Sequence, residues 1–388
     1  MSPAGLVAHT SGVVTALTAA RVRGDVDVLS RAGLPLQEFL DEATASLGRA
    51  VPWVAACVGT HDPTTRLLTG SHKFGDLHGV NEQDLLFGQI EYASDEDTSY
   101  RHLFGGEVDA VGMSLRHRGE VERSERMSRL MVPHFGYADE ARLAFRDGRR
   151  AWGGLAIFRG GDDPSFAEAE VDFLASLSTA FARGVRGGVL ARLSAAGHAG
   201  GAGPAVLVVA ADDRVVQASP GAMACLDALR AGGAAVGDPM AIVASLVATA
   251  RRSASGDGSA QPRARVRLEG RWMVLHASPL SGLGDRAGEV VVTIEEARPP
   301  EIVALVVAAF DLTPRERDVT QLVLQGVDTK EIAATLHLST YTVQDHLKSV
   351  FDKADVRSRR ELIARIYFDQ YVPRLNTELD PSGWFASV

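Results

Sequence analysis

The stretch that decides the C-terminal fold, residues 312–360, reads LTPRERDVTQLVLQGVDTKEIAATLHLSTYTVQDHLKSVFDKADVRSRR. Three helix starts are recognisable in it, at Thr313, Asp328 and Ser339, because each of these side chains can accept a hydrogen bond from the first backbone N–H groups of a following helix. Gly326 stands where a helix commonly ends on a left-handed residue. The stretch therefore predicts short helices joined by tight turns, as in an all-α domain.

The third of these helices, about residues 340–354, has two different faces. When the sequence is wound as an α-helix, one face is apolar and carries Val343, Leu347, Val350 and Phe351. The opposite face carries Tyr341, Gln344, Asp345, Lys348 and Asp352. Two short helices with a three-residue turn form a helix-turn-helix unit, whose second helix enters the major groove of DNA. Glutamine can pair with adenine, lysine can donate to guanine and aspartate can accept from cytosine. We therefore expect the exposed face to read base edges, through Tyr341, Gln344, Asp345 and Lys348.

This region resembles the LuxR-type helix-turn-helix domain, a four-helix DNA-binding domain. The residues that carry the resemblance are Leu312 to Arg317, Lys330 to Ala333, Ser339, Thr342, Val343, His346, Lys353 and Val356 to Arg359. The resemblance implies that Gln344, Asp345 and Lys348 occupy base-reading positions. It also implies that a second set lies near DNA phosphates, namely Lys330, Ser339, Thr342, His346 and Arg357.

The fourth helix adds two expectations. Arg359 lies beside the Ser358 cap of this helix, where arginine and backbone N–H groups suit a phosphate. In domains of this family the fourth helix often forms the dimer contact, which here implies Leu362, Ile363, Ile366 and Tyr367.

The charge of this region departs from the family pattern. Position 344 is Gln where the family often has Lys, and Asp345 adds a negative charge. Residues 301–375 contain ten Lys and Arg against eleven Asp and Glu, a net charge of −1. Since electrostatic attraction to DNA is then modest, we expect dimeric binding or strong sequence dependence. A regulator that acts by protein–protein contact, with a degenerate DNA-binding domain, remains the alternative hypothesis.

Ahead of this domain the sequence predicts two α+β units, so the fold class is multidomain. The first unit resembles GAF-like sensor regions through Phe145–Arg149, Trp152–Arg159, Phe166 and Glu170, with strands at 53–59, 129–137, 141–147 and 152–159. The smaller second unit resembles PAS-like domains through its order of two strands, two helices and three strands, and through Ser219–Ala222 leading into a helix. The predicted divisions are a lead (1–33), the GAF-like unit (34–192), a linker (193–203), the PAS-like unit (204–297), a connector helix (298–311), the helix-turn-helix domain (312–371) and a tail (372–388).

Composition narrows the class of protein. The 388 residues are 46% hydrophobic and carry a net charge of −9, which disfavours a protein that coats nucleic acid with its whole surface. No apolar run reaches the about 18–20 residues that span a bilayer, and no signal peptide is recognisable. Cys57 and Cys225 are expected to be reduced and buried. We therefore predict a cytoplasmic protein with no membrane partner.

The sequence contains no recognisable catalytic motif, since Gly-x-x-x-x-Gly-Lys, Gly-x-Ser-x-Gly and His-Glu-x-x-His are all absent. The histidines of the first unit lack zinc-site spacing and are expected at the surface; they are His61, His72, His78, His102, His117 and His134. Several aromatic residues are expected either to line a pocket or to form ordinary core, namely Trp53, Phe74, Phe87, Tyr92, Phe104, Phe135 and Trp152. We predict no enzymatic activity, no catalytic residue, no metal and no cofactor. The expected partners are double-stranded DNA, a second copy of the chain, a small-molecule effector and RNA polymerase.

Overall fold

The computed structural model describes residues 15–148, 150–191, 205–231, 236–256, 261–268, 271–281 and 287–368. The predicted linker at 193–203, the tail at 372–388 and the first half of the lead lie outside the described residues. Within the described ranges, no helix is both long enough and apolar enough to cross a bilayer.

The first α+β unit begins with two helices, α1 (Ala16–Arg31) and α2 (Leu36–Gly48). The following elements are β1 (Ala55–His61), β2 (Leu68–Gly75), α3 (Asp84–Ala93), α4 (Tyr100–Gly105), β3 (Ala110–Gly112), α5 (Met113–Arg116), β4 (Asp139–Asp147), β5 (Arg150–Arg159), α6 (Glu168–Ala175) and α7 (Ser178–Ala191). The strands pair antiparallel in the order β2-β1-β5-β4-β3.

Helices cover both faces of this sheet. On β5, Trp152 and Ile157 belong to the core formed with α1, α2 and α7, whereas Phe158 belongs to the core on the opposite face. A strand buried on both faces has a near-continuous apolar sequence, which is why β5 was recognisable. Gly154 is needed for close packing, because a Cβ atom there would lie 2.1 Å from the ring of Tyr100 on α4.

Buried charges hold the helical cover to the second face of the sheet. The Arg126 guanidinium donates to Glu140 on β4, with its Nη2 atom 2.7 Å from Oε2, and to Glu91 on α3 at 3.2 Å. Arg142 on β4 donates to the same Glu91 oxygen at 2.9 Å. All four side chains are at most 1% exposed. Buried ion pairs of this kind fix geometry, because removing one partner leaves a charge without compensation.

The strand predicted at 129–137 is wrong. Met127–Phe135 forms a π-helical segment whose buried residues are Met127, Leu130 and Met131. These positions are three and four residues apart, which is helical spacing. The strand β2 was not predicted, because it contains the buried polar residues Ser71, His72 and Lys73.

The second α+β unit confirms the predicted element order. Its elements are β6 (Ala205–Val209), β7 (Val215–Ala218), α8 (Pro220–Arg230), α9 (Met240–Ala254), β8 (Arg263–Leu268), β9 (Arg271–Pro279) and β10 (Val290–Glu296). The strands pair antiparallel in the order β7-β6-β10-β9-β8. Relative to chain order, this is the same arrangement as in the first sheet.

The two units pack directly on each other. Gly88 on α3 faces α9 so closely that a Cβ atom would lie 2.9 Å from the backbone oxygen of Ala241. The Gly237 N–H donates to the Ser71 oxygen on β2 at 3.0 Å. Arg265 on β8 forms an ion pair with Asp62 at 2.6 Å, and both side chains are 1% exposed.

The C-terminal part is helical, as predicted. It consists of the connector α10 (Pro299–Ala309), then α11 (Pro314–Leu324), α12 (Thr329–Leu336), α13 (Thr340–Lys353) and α14 (Arg359–Ile363), which continues as a π-helical turn at Ala364–Phe368.

Candidate nucleic-acid interface

The first helix of the C-terminal domain is locked to the third by one carboxylate. Glu316 accepts from the Thr313 N–H at 2.7 Å, which completes the predicted capping box of α11. The same side chain accepts from Ser349 at 2.6 Å and from the Lys353 ammonium at 2.7 Å, both on α13. Burial alone raises the pKa of Glu316, but the hydrogen bonds from Lys353, Ser349 and Thr313 lower it from 4.5 to about 2. The sequence identified Glu316 only as a capping residue and gave no signal for its contact with α13.

The turn between α12 and α13 has the predicted cap residues. Asp328 accepts from the N–H groups of Lys330 and Glu331 at 2.8 and 2.9 Å and so starts α12. His337 ends this helix in the left-handed conformation, with φ of 55°. Ser339 then accepts from the Thr342 N–H at 3.0 Å and starts α13. Three residues therefore separate the two helices, and local hydrogen bonds fix where α13 begins.

The two faces of α13 are separated as the sequence predicts. Val343 and Val350 are 0% exposed and pack in the core. The opposite face is solvent-exposed and carries Tyr341, Gln344, Asp345, Lys348 and Asp352. The structure thus brings together the side chains predicted to read bases, on one uncovered surface.

The residues predicted to lie near phosphates have mixed positions. Lys330, Ser339 and Arg357 are exposed, whereas Thr342 and His346 are half-buried at the edge of the exposed face. The hydroxyl groups of Ser339 and Thr342 are hydrogen-bonded to each other at 2.8 Å.

Arg359, which was also predicted to lie near a phosphate, makes hydrogen bonds within the chain. Its Nη2 atom donates to the carbonyl oxygens of Val327 and, at 3.4 Å, Val323. Carbonyl groups at a helix end attract cations, so the α11 terminus engages this guanidinium. Arg359 therefore holds α14 against α11 through this nitrogen, and its contact with a DNA phosphate stays a prediction.

Two of the residues predicted to form the dimer contact are buried within the chain, and the contact itself stays a prediction. Leu362 is 0% and Ile366 1% exposed, and both belong to the core that also contains α10. The segment Ala364–Phe368 packs against α10. These two apolar side chains are therefore satisfied within the chain, whereas Ile363 is half-buried. The Tyr367 side chain lies outside the described atoms.

The connector α10 is held by both α+β units. Near its start, Arg265 of the second unit donates to the Glu301 oxygen at 2.7 Å. At its end, Arg150 of the first unit donates to the Ala308 oxygen at 3.3 Å. Just beyond it, Arg186 on α7 pairs with Asp311 at 3.0 Å. The position of α10, and with it the start of α11, is therefore tied to the two α+β units.

Two of the histidines expected at the surface are buried. His61 is 4% and His72 6% exposed. His61 is hydrogen-bonded to the Tyr92 hydroxyl at 2.8 Å, and burial lowers its pKa to about 3, so the ring is neutral. His61 is the last residue of β1, whereas His72 lies within β2 and is hydrogen-bonded to Gln37 on α2 at 2.7 Å. The spacing of histidines in the sequence does not reveal these contacts.

A small cavity of about 50 Å³ lies between the first sheet and α3. Three of the aromatic residues proposed as pocket-lining contribute to it, Phe87, Tyr92 and Phe135. Cys57 also lines it, and burial raises the pKa of this thiol to about 12. The thiol is therefore protonated and unreactive as a nucleophile.

Comparison with known families identifies the C-terminal domain. Residues 311–366 match the family described as "Bacterial regulatory proteins, luxR family". The resemblance drawn from the sequence is confirmed for these residues, and this part of the chain is a LuxR-family helix-turn-helix domain.

Similar curated proteins match over the same part of the chain. Response regulator Rre1 of Synechocystis is 45% identical over 54 residues, which is 14% of this chain and 23% of that protein. Transcriptional regulatory protein DesR of Bacillus subtilis is 40% identical over 57 residues, 15% of this chain and 29% of that protein. The nitrate/nitrite response regulator protein NarL of Escherichia coli is 37% identical over 83 residues, 19% of this chain and 38% of that protein. The chain thus spans well under half the length of these relatives.

Solved structures similar to this chain include two GAF domains. The GAF domain of a phosphoenolpyruvate-protein phosphotransferase from Coxiella burnetii matches 44% of this chain and 94% of that chain, at 13% identity and a TM-score of 0.28. The corresponding domain from Acinetobacter matches 44% of this chain and 93% of that chain, at 16% identity and a TM-score of 0.27.

Proposed function

We propose that this chain is a transcriptional regulator that binds double-stranded DNA in a sequence-specific manner through its C-terminal domain. The observation that carries the proposal is the exposed face of α13, where Gln344, Asp345 and Lys348 stand together on the second helix of a helix-turn-helix unit. Such a helix enters the major groove with its polar side chains toward the base edges.

Each residue of the face has a proposed role. Gln344 pairs with an adenine, Lys348 donates to a guanine, and Asp345 accepts from a cytosine amino group, while Tyr341 contacts a neighbouring base. Phosphates are bound by Lys330, Ser339, Thr342, His346 and Arg357. Because Asp345 and Asp352 lie beside Lys348, the preference for one sequence comes mostly from hydrogen bonds between side chains and base edges, and less from the net charge of the domain.

The two α+β units are proposed to be GAF-like and PAS-like sensors that respond to a small molecule or a partner. Their bonds to α10, through Arg150 and Arg265, support this, because a change in either unit alters how the DNA-binding domain is held. A homodimer on an inverted repeat, contact with RNA polymerase and a cytoplasmic location complete the proposal. The absence of enzymatic activity stays a prediction.

The test is a genome-fragment binding selection with the full-length chain, repeated across a salt series. We expect enrichment of one inverted-repeat sequence, lost in Lys348→Ala. The matched control is Arg315→Ala, which also removes one exposed positive charge but lies on α11. Enrichment of no sequence, or equal losses in the two variants, would contradict sequence reading by α13.

A second candidate is a regulator that acts through protein–protein contact with a degenerate DNA-binding domain. Asp345 and the net charge of −1 over residues 301–375 favour it. It predicts that Lys348→Ala leaves the transcription of regulated promoters unchanged in cells, whereas the first candidate predicts loss of regulation.

A further inference from the structure

A cavity of about 330 Å³ lies where the two α+β units and the connector helix meet. Its apolar lining includes Val185 on α7, Ile242 on α9 and Leu305 on α10, together with Trp152 of the first sheet and Trp272 of the second. Small-molecule sites have volumes of about 300–1,000 Å³ and are often found between domains. The cavity is therefore large enough for a small organic molecule, and an occupant would touch all three parts at once.

The carboxylates that line the cavity are already engaged. Asp62 accepts two hydrogen bonds of 2.6 Å from the Arg265 guanidinium, and both side chains are 1% exposed. Asp238 accepts from Arg230 at 3.1 Å and from the Met240 N–H at 2.8 Å. A cationic ligand would have to displace these donors, so the lining does not favour a positive charge.

The positive side chains of the lining are engaged as well. Besides its ion pair, Arg265 donates to the Glu301 carbonyl oxygen at 2.7 Å. Arg267 also has a partner within the chain, and its guanidinium carbon lies 5.8 Å from the centroid of the Trp272 ring. His61 is neutral, because burial lowers its pKa to about 3. Neither arginine is therefore free to pair with an anion, and moving an ion out of water without a partner costs free energy.

Four further polar residues of the lining are uncharged, namely Gln37, Thr60, Thr69 and Ser71. A hydroxyl group can both donate and accept hydrogen bonds. The Thr60 and Thr69 hydroxyls are bonded to each other at 2.9 Å, which leaves lone pairs for a further donor. The Gln37 amide nitrogen donates to Asp41 at 2.8 Å and carries a second N–H. Groups of this kind suit an amide, a ketone or an alcohol, none of which brings a charge.

We propose that this cavity binds an uncharged molecule of one or two rings that carries a carbonyl or hydroxyl group. The rings would lie against the apolar side chains, and the polar group would exchange hydrogen bonds with the uncharged polar residues. This inference rests on the proposed function, for which it supplies an effector site. The occupant would contact Leu305, nine residues before the first residue of α11, and would thereby stabilise one position of the connector.

The experiment is calorimetric titration of the full-length chain with three probes that share one ring system. They are the uncharged 2-naphthamide, the anion 2-naphthoate and the cation 2-naphthylmethylammonium. We expect the amide to bind at least about tenfold more tightly than either ion, because each ion loses its hydration without gaining a free partner.

Two substitutions test the position of the site by adding volume to its lining. Ala228→Phe on α8 and Val189→Phe on α7 both alter half-buried residues that line the cavity. Each should weaken 2-naphthamide about tenfold, because the new ring takes up space that the probe would fill.

Ala224→Phe is the matched control. Ala224 lies one turn before Ala228 on the same helix, but it is exposed and does not line the cavity. This variant should bind 2-naphthamide like the parent chain. Circular dichroism and the thermal midpoint establish that each variant is folded. Ala228 and Val189 belong to different units, so one variant remains informative if the other unfolds.

Three results would overturn the proposal: no heat with 2-naphthamide up to the limit of its solubility, binding of either ion as tight as that of the amide, or amide binding that neither cavity variant weakens. DNA binding is measured separately on the same preparation. Loss of DNA binding with retained 2-naphthamide binding would remove the proposed function and keep the site, whereas the opposite pattern would remove only the site.

Discussion

The first α+β unit and the C-terminal domain use charged residues in opposite ways. In the first unit, Arg126, Arg142, Glu91 and Glu140 are all buried and bonded to one another. In the C-terminal domain, the charged residues of the α13 face are exposed. Buried charges fix a geometry at a desolvation cost, whereas exposed charges remain available for a partner. The difference indicates that the buried charges of the first unit stabilise its own fold, whereas the exposed charges of the α13 face are available to bind a partner.

The largest effect is expected for Arg126→Met, which tests the buried ion pairs of the first unit. The substitution leaves Glu140 buried without its main partner, and we expect a loss of about 3–5 kcal/mol in unfolding free energy. Urea denaturation of the full-length chain, followed by circular dichroism, measures it. Arg31→Ala is the control, since the Arg31–Asp27 pair is exposed and should contribute well under about 1 kcal/mol. Equal losses in the two variants would contradict the assigned difference.

Glu316→Gln tests the buried carboxylate that joins α11 to α13. Its pKa is lower in the folded chain, about 2 against 4.5, so its stabilising contribution is present above pH 4.5 and is lost as the pH falls toward 2. We expect the variant to lose about 2 kcal/mol at pH 7 and to show a shallower decline of stability between pH 4.5 and 2. Unfolding free energies measured at several pH values decide this. An unchanged acid slope would show that other groups control it.

Gln344→Ala and Arg357→Ala test the roles of two exposed residues of the C-terminal domain. Loss of Gln344 should cost about 1–3 kcal/mol at one base position of the selected sequence and relax the preference there. Loss of Arg357 should weaken binding to all sequences and reduce the salt dependence. Binding to a set of single-base variants across a salt series separates the two. If both substitutions weakened every sequence equally, their assigned roles would fail.

Ser358→Ala is expected to have the smallest effect. Ser358 accepts from the Glu361 N–H at 3.2 Å and starts α14. Loss of a cap of this kind costs about 1 kcal/mol, and Ser358→Asn should restore most of it because asparagine also caps helices. The thermal midpoints of the two variants provide the measurement; a larger loss with Asn than with Ala would argue against a capping role.

Local signals explain how much of the C-terminal domain was predictable. The caps at Thr313, Asp328 and Ser339 and the apolar stripe of α13 are set by residues a few positions apart, so the sequence alone places them. The second role of Glu316 was not predictable, because Ser349 and Lys353 lie more than 30 residues away. The same holds for Leu362 and Ile366, since only the packed structure shows that α10 belongs to their core.

The first unit was harder to predict for a related reason. The buried Lys73 ammonium on β2 is satisfied by Asn81, at 2.8 Å, and by the Asp84 carboxylate. These partners follow the strand, so the strand itself reads as a polar loop. Residues 129–137 were misassigned because a short apolar run fits either a strand or a helix when its neighbours are unknown.

The connector α10 acts as a rigid link between the two α+β units and the DNA-binding domain. Its eleven residues span about 16 Å, a length over which an α-helix is stiff. The second unit is hydrogen-bonded to the start of α10 through Arg265, and the first unit is hydrogen-bonded to its end through Arg150. The two units also pack against each other. The two α+β units and α10 therefore contact one another pairwise. One of them cannot move gradually relative to the other two without breaking one of these contacts. The DNA-binding domain is therefore expected to switch between discrete positions. Each position is set by which hydrogen bond to α10 is retained, that of Arg265 or that of Arg150.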